Sequence, residues 1–120
     1  MADQVQVSLN DSGSAVVATV ETAEMAPAVT DALMAHVAEL SAAGRRAMLV
    51  VDVAKVKFID SVALGSLVVL LRRVKATQGR LALTGLTGHS NRVLQVTGLD
   101  KVFEMFDDAP AALEDFSRPV

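Results

Sequence analysis

The sequence predicts one α/β domain with a mixed central sheet of four to five strands, about four helices and an N-terminal hairpin. Three observations lead to this prediction. Residues 46–53 form a continuous apolar run, as in a strand that is covered on both faces. Residues 61–77 then repeat apolar side chains at helical spacing, and residues 80–86 form a second short apolar run. A strand, a helix and a strand at this spacing form a crossover unit, so the two strands are expected to be parallel.

The composition describes a globular chain that lacks several kinds of chemistry. Hydrophobic residues make up 52% of the 120 residues and charged residues 21%, which is enough for one buried core. The net charge is −3 and there is no Trp or Tyr, so a nucleic-acid partner is not expected. The absence of Cys excludes disulfides and thiolate metal sites. No cofactor is expected.

The sequence shows no targeting or membrane segment. The first residues, "MADQVQVSLNDSG", lack the charged and then apolar pattern of a signal peptide. The longest apolar run, residues 67–71, is far too short to cross a bilayer. We therefore expect a cytoplasmic protein with no membrane insertion.

The N-terminal part predicts a hairpin. Val5, Val7 and Leu9 alternate with polar residues, as in a half-exposed strand. The turn cluster at 10–14 leads into a second strand at 15–20. The length of this cluster favours a loop over a tight two-residue turn.

The first and second helices follow from the spacing of their apolar residues. Residues 26–43 are predicted to be helical, with Pro27 in the first turn, Gly44 as the stop and a stripe of Val29, Leu33, Val37 and Leu40. In the helix at 61–77 the predicted core stripe is Leu64, Leu67, Leu71 and Val74.

The C-terminal part is predicted to contain shorter helices and strands. A third helix is predicted at about 89–97, and residues 100–106 are ambiguous between a last strand and one helical turn. Asp107 and Asp108 are placed to cap a terminal helix that begins near Pro110.

The segment "FIDSVALGSL", residues 58–67, contains the main candidate site. Ser61 stands at the mouth of the second helix, and from its residue type alone it is best interpreted as a helix cap. Asp60 is already a good cap, however, which makes a second one redundant. The face of the helix away from its core stripe is unusually apolar and marks either a partner surface or a helix covered by a neighbour; its residues are Val62, Ser66, Val69, Leu70 and Arg73.

Together with the later segment "NRVLQVTGLDKVFEMFDD", this stretch resembles the STAS domain, and within it the bacterial anti-sigma factor antagonists. The similarity covers residues 5–117, so the whole chain, 1–120, is identified as a single STAS domain. In that family a strand ends in Asp-Ser or Asp-Thr, and the hydroxyl is phosphorylated by an anti-sigma factor that is also a serine kinase. The unphosphorylated antagonist binds this kinase and frees a sigma factor.

The resemblance implies that Ser61 is the phosphorylation site. It also implies that the partner surface includes Asp60, Val62, Ala63, Gly65, Ser66, Val69 and Arg73, and the loop residues Glu21 and Thr22. The chain departs from the family pattern at Val62 and Ala63, where a small residue and then Gly are usual. The implied partner is an anti-sigma factor serine kinase, with a weak homodimer left open. The alternative within the same fold is a STAS scaffold or accessory subunit, without phosphorylation, of a lipid-transport ABC system or a stress-signalling assembly.

Other functions find less support in the residues, and an enzyme is not expected. His36 and His89 have no spacing that ties them to Ser61, so a serine nucleophile lacks a base. Asp52 follows an apolar strand as in a phospho-aspartate receiver, but the acidic pair that would hold Mg²⁺ is missing. The glycines of "LTGLTGHSN" lack the Lys of a phosphate-binding loop and are interpreted as a turn.

Overall fold

The structure is a computed structural model that describes residues 7–13 and 15–118. Within them the strands are β1 (Val7–Ser12), β2 (Ala15–Val20), β3 (Met48–Asp52), β4 (Arg80–Thr84) and β5 (Glu104–Phe106). The helices are α1 (Pro27–Ala42), α2 (Ser61–Ala76), α3 (Gly88–Thr97) and α4 (Ala109–Ser117), with one 3-10 turn at Leu99–Lys101. The predicted α/β domain with a mixed sheet is confirmed.

The five strands form one sheet in the order β1-β2-β3-β4-β5. β1 pairs with β2 antiparallel, and the other neighbours are parallel, including β3 with β4 as predicted. The ambiguous segment 100–106 supplies both a helical turn and the short edge strand β5. The predicted start of the first strand at Val5 lies outside the described residues.

The hairpin corrects one prediction. The register places Ser12 opposite Ala15, so only two residues, 13 and 14, connect β1 to β2. Gly13 has a φ of 69°, the left-handed conformation that two-residue hairpin turns require. The prediction of a longer loop is wrong, because the polar residues 10–12 still belong to β1 and pair with β2.

Alternation along the strands divides the core into two layers. Leu49 and Val51 of β3 face the larger cluster, into which α1, α2 and α3 pack. Val50 between them faces the smaller cluster, where α4 contributes Ala112 and Phe116. This two-sided burial explains the continuous apolar run in the sequence. No helix within 7–13 and 15–118 is long and apolar enough to span a membrane.

Capping residues stand at the start of α4 and at the end of α3. Asp108 caps α4 by accepting a hydrogen bond from the Ala111 amide at 2.9 Å. Gly98 ends α3 in the left-handed conformation, with a φ of 76°. Asp52, at the end of β3, anchors the following loop by accepting a hydrogen bond from the Ala54 amide at 2.9 Å.

Arg80 ties three elements together at the start of β4. Its guanidinium pairs with Glu104 of β5 and lies 2.6 Å from Asp115 Oδ2 of α4. It also sits 4.5 Å from the ring centroid of Phe116. The hydrogen bond to Glu104, followed by the one to Asp115, raises the pKa of Arg80 above its ordinary value. One forked side chain thus holds the short edge strand and the terminal helix to the sheet.

We predict that Arg80→Ala lowers the free energy of unfolding by about 1–3 kcal/mol, because it removes charge-assisted hydrogen bonds and a cation–π contact together. Urea denaturation followed by circular dichroism measures this. The control is Arg118→Ala, which breaks an exposed 3.5 Å pair with Glu114 and should cost less than about 0.5 kcal/mol. Equal losses in the two variants would contradict the role assigned to Arg80.

Candidate partner-binding site

Asp60, not Ser61, caps α2. Its Oδ1 accepts a hydrogen bond from the Ala63 amide at 2.8 Å, and its backbone is extended, as at an N-cap. Ser61 is the first residue of the helix and is exposed. Among the hydrogen bonds of the described residues, none involves the Ser61 hydroxyl. The capping interpretation of Ser61 is therefore wrong, and its hydroxyl is free for a reaction or a partner.

The segment that carries Asp60 is joined to the loop between β2 and α1. The amides of Lys57 and Phe58 donate to the Ala23 carbonyl at 2.6 Å and 3.1 Å, and the Met25 amide donates to the Phe58 carbonyl at 3.3 Å. These bonds form a short parallel bridge between Glu24 and Phe58. The loop between β2 and α1, residues 21–26, is therefore joined to the segment between β3 and α2, residues 53–60. We name these two connected segments, which lie beside Ser61, the rim.

Glu21 fastens the same rim through its side chain. It accepts hydrogen bonds from Ser8 at 2.8 Å and from Lys55 at 2.5 Å. The bond from Lys55 first, and that from Ser8 second, lower the pKa of Glu21. A lowered pKa means that this contact stabilises the fold above the ordinary pKa of glutamate and is lost on acidification through the lowered value. Thr22 donates to the Glu24 carbonyl at 2.7 Å, so it also orders the loop.

The exposed face of α2 differs in part from the predicted one. Five exposed residues spaced alternately by three and four positions form the face that we name the α2 outer stripe: Val62, Gly65, Val69, Arg72 and Ala76. The side chains of Val62 and Val69 are 68% and 39% exposed. Ser66 is half-buried and Arg73 is exposed at the flank of the stripe.

Two predicted surface residues belong to the core instead. Ala63 is 5% exposed and Leu70 is fully buried. Both are buried because they lie on the same helical face as Leu67 and Val74, and α2 packs against both α1 and β4. Leu64, predicted in the core stripe, is only half-buried. Ala63 contributes to the site through its amide, which fixes Asp60, and its assignment as a partner-contacting side chain is corrected.

Two exposed side chains, Phe58 and Arg72, were not predicted as part of this surface. Phe58 is 58% exposed and packs against the ring of His89 with a centroid separation of 5.8 Å. Its neighbours Val56 and Ile59 are both buried, so no simple alternation marked Phe58 as a surface residue. Arg72 had a signal, because it continues the three-and-four spacing from Val62.

The histidines do not form a catalytic arrangement with Ser61. His36 lies on α1, where its Nε2 is buried without a hydrogen-bond partner among the described residues. His89 lies in the first turn of α3 against Phe58, and the N-cap of this helix is Thr87. In the described part of the chain, no group of three His, Cys, Asp or Glu side chains is arranged to hold a metal ion.

Comparison with known proteins gives one family. The model of the STAS domain matches residues 9–112. A protein of Thermotoga neapolitana, described as a candidate anti-sigma factor antagonist, is 37% identical over 60 residues, which are 50% of this chain and 53% of that protein. The chain spans about half the length of the curated relatives it matches.

Solved structures agree with this assignment. An anti-sigma factor antagonist from Mycobacterium paratuberculosis is 26% identical with a TM-score of 0.78, and the match covers 93% of each chain. The Bacillus cell fate determinant SpoIIAA in its phosphorylated form is 20% identical with a TM-score of 0.70, covering 93% of this chain and 99% of that one, and so shares the fold. Because the family match extends over nearly all of the described residues, the chain belongs to the STAS domain family.

Proposed function

We propose that the protein is an anti-sigma factor antagonist that works by partner switching. Its unphosphorylated form binds an anti-sigma factor serine kinase and so frees a sigma factor, and phosphorylation of Ser61 releases the kinase. The observation that carries the proposal is the free hydroxyl of Ser61, exposed beside a cap that Asp60 already provides. The relatives described as anti-sigma factor antagonists, and the phosphorylated form of a protein with this fold, support it.

Phosphorylation at the start of α2 is expected to affect partner binding much more than the stability of the fold. A phosphate on Ser61 adds about −1.5 to −2 charges at pH 7. The amino end of a helix favours negative charge by roughly 0.3–1 kcal/mol, so the fold tolerates the modification. A partner that had to bury the phosphate next to Asp60 would lose about 3–5 kcal/mol, and every ~1.4 kcal/mol is a factor of ten in affinity. The same modification therefore keeps the fold and breaks the complex.

The partner surface in this proposal combines the α2 outer stripe with the rim. The apolar contact comes from Val62, Gly65 and Val69. The edge of the surface is formed by Ser66 and Arg73, and its acidic end by Asp60. Phe58, exposed on the rim, extends the apolar area past the start of α2. Glu21 and Thr22 contribute by holding the rim in place, because their side chains are engaged within the protein. The surface needs no cofactor, no nucleic acid and no membrane.

One observation favours a second candidate, a STAS scaffold or accessory subunit that is not phosphorylated. The branched side chain of Val62 is 68% exposed directly after Ser61, where it narrows the approach of a kinase to the hydroxyl. A scaffold would use the same apolar stripe for permanent contacts. The two candidates differ in whether the Ser61 hydroxyl reacts.

We predict that a serine kinase anti-sigma factor of the source organism, given ATP, phosphorylates the wild-type protein once. Intact-mass spectrometry should show an increase of roughly 80 Da, the mass of one phosphoryl group. Ser61→Ala should abolish the increase, and Ser66→Ala, five residues further along α2, should keep it. An unchanged wild-type mass, or loss of modification in Ser66→Ala alone, would refute Ser61 as the acceptor.

We also predict that wild-type and Ser61→Glu proteins capture different partners from a lysate of the source organism. The wild type should recover a serine kinase anti-sigma factor, and Ser61→Glu should not, because the added carboxylate mimics part of the phosphate charge. Mass spectrometry of the bound proteins measures this. Recovery of the same transporter or assembly subunits by both baits would favour the scaffold.

Val69→Glu is expected to weaken kinase binding at least tenfold while it changes the free energy of unfolding by less than about 0.5 kcal/mol, because Val69 contacts the partner and not the core. Titration calorimetry and urea denaturation measure the two effects. The matched control is the next residue: Leu70→Ala should cost about 2–5 kcal/mol of stability, since Leu70 is fully buried. If Val69→Glu unfolds the protein, the stripe is wrongly placed.

A further inference from the structure

Gly65 lies in the middle of the α2 outer stripe without a reason inside the fold. A Cβ added at this position would meet no atom within 4 Å, and its φ is not in the left-handed region. Glycine disfavours a helix interior, because it loses more backbone freedom than any other residue. The remaining advantage of glycine is that another backbone or side chain can approach the helix closely from outside.

The spacing of the stripe suits a second helix. Val62, Gly65, Val69, Arg72 and Ala76 alternate steps of three and four, the repeat by which two helices pack along a common seam. Small residues at Gly65 and Ala76 leave depressions, and Val62 and Val69 stand beside them. A valine of one helix fits into the glycine position of another.

The charges along α2 complement the charges of a second, antiparallel copy. The amino end carries the exposed carboxylate of Asp60, and the carboxyl end carries Arg72 and Arg73, both exposed. Within residues 7–13 and 15–118 neither arginine takes part in an ion pair. An antiparallel pair brings these opposite ends together, and it also opposes the two helix dipoles.

We propose that two copies of the chain associate through their α2 outer stripes, antiparallel around a two-fold axis. Val69 of each copy sits over Gly65 of the other, which makes the contact self-complementary. Positions 61 and 73 lie equally far outside positions 65 and 69. The same register sets Ser61 of one copy level with Arg73 of the second copy. Because Ser61 and Arg72 lie on one side of the stripe and Arg73 on the other, the two-fold axis brings Ser61 beside Arg72 of the second copy.

This register gives phosphorylation a second effect, which rests on the proposed function. A phosphate on Ser61 would face the guanidinium group of Arg72 in the second copy, and arginine binds phosphate through paired, charge-assisted hydrogen bonds. Phosphorylation then strengthens the dimer while it expels the kinase from the same surface. The unmodified dimer is weak, because one helix face is smaller than the ~800 Å² per partner of a standard interface.

Sedimentation equilibrium from about 10 μM to about 1 mM tests the dimer without any kinase, over the range of weak affinities. The weight-average mass of the wild type should rise with concentration from 12.6 kDa toward twice that value. Gly65→Gln should raise the dimer Kd at least tenfold, because its side chain fills the site of Val69, while circular dichroism shows an unchanged fold. The control Arg118→Glu, on the α4 side of the sheet, should dimerise like the wild type.

The charge effect is tested in the same instrument. Ser61→Glu should lower the dimer Kd several-fold at low salt, and about 0.5 M salt should remove the gain by screening. Adding Arg72→Glu to Ser61→Glu should also abolish the gain. A wild type that stays monomeric at every concentration overturns the proposal, as does a Gly65→Gln variant that dimerises like the wild type. If Gly65→Gln weakens only kinase capture, the stripe serves the kinase alone.

Disulfide cross-linking tests the register, since the natural chain has no cysteine. A tagged Gly65→Cys protein mixed with an untagged Val69→Cys protein should give more cross-linked dimer on oxidation than either variant alone. A Val69→Cys protein that cross-links best with itself would indicate a parallel pair and would overturn the antiparallel register. Failure of these tests leaves kinase capture unaffected, so it is distinguishable from failure of the proposed function.

Discussion

The hydrogen bond from the Ala63 amide to the Asp60 carboxylate determines what the start of α2 can do. It satisfies the helix end with one side chain and leaves the adjacent hydroxyl of Ser61 without a structural duty. A serine used as the cap would have its oxygen held against the backbone. Asp60 thus stabilises the start of the helix, and the neighbouring Ser61 remains available for the chemistry proposed for it.

The hydroxyl of Ser61 lies next to two loops that are held together by hydrogen bonds. Backbone bonds from Lys57 and Phe58 to Ala23, and the contact between Glu21 and Lys55, order two loops that are distant in sequence. A surface that is ordered before binding loses less conformational entropy when a partner arrives. In the proposed function, a charge added at Ser61 acts mainly on association with the partner and little on folding.

Much of the fold followed from local patterns, and the errors have a common cause. Helix and strand bounds agree with the expected ones within a few residues, because apolar periodicity and stop residues act locally. The predicted exposed face of α2 was displaced because both Leu64 and Leu70 are leucines, and the sequence does not say which one the neighbouring elements will cover. Phe58 was missed because it lies on the rim, where it forms a bridge with Glu24 that local sequence patterns do not show.

The sequence by itself determined the order of the elements, the two-sided burial of the central strands and the position of Asp60 and Ser61 at the start of a helix. These features depend on residues close together in the chain. The tertiary structure alone decided which face of α2 is exposed, how Glu21 and Lys55 join the loops, and how Arg80 holds α4. Such features depend on pairs of groups far apart in sequence, which only the assembled fold brings together.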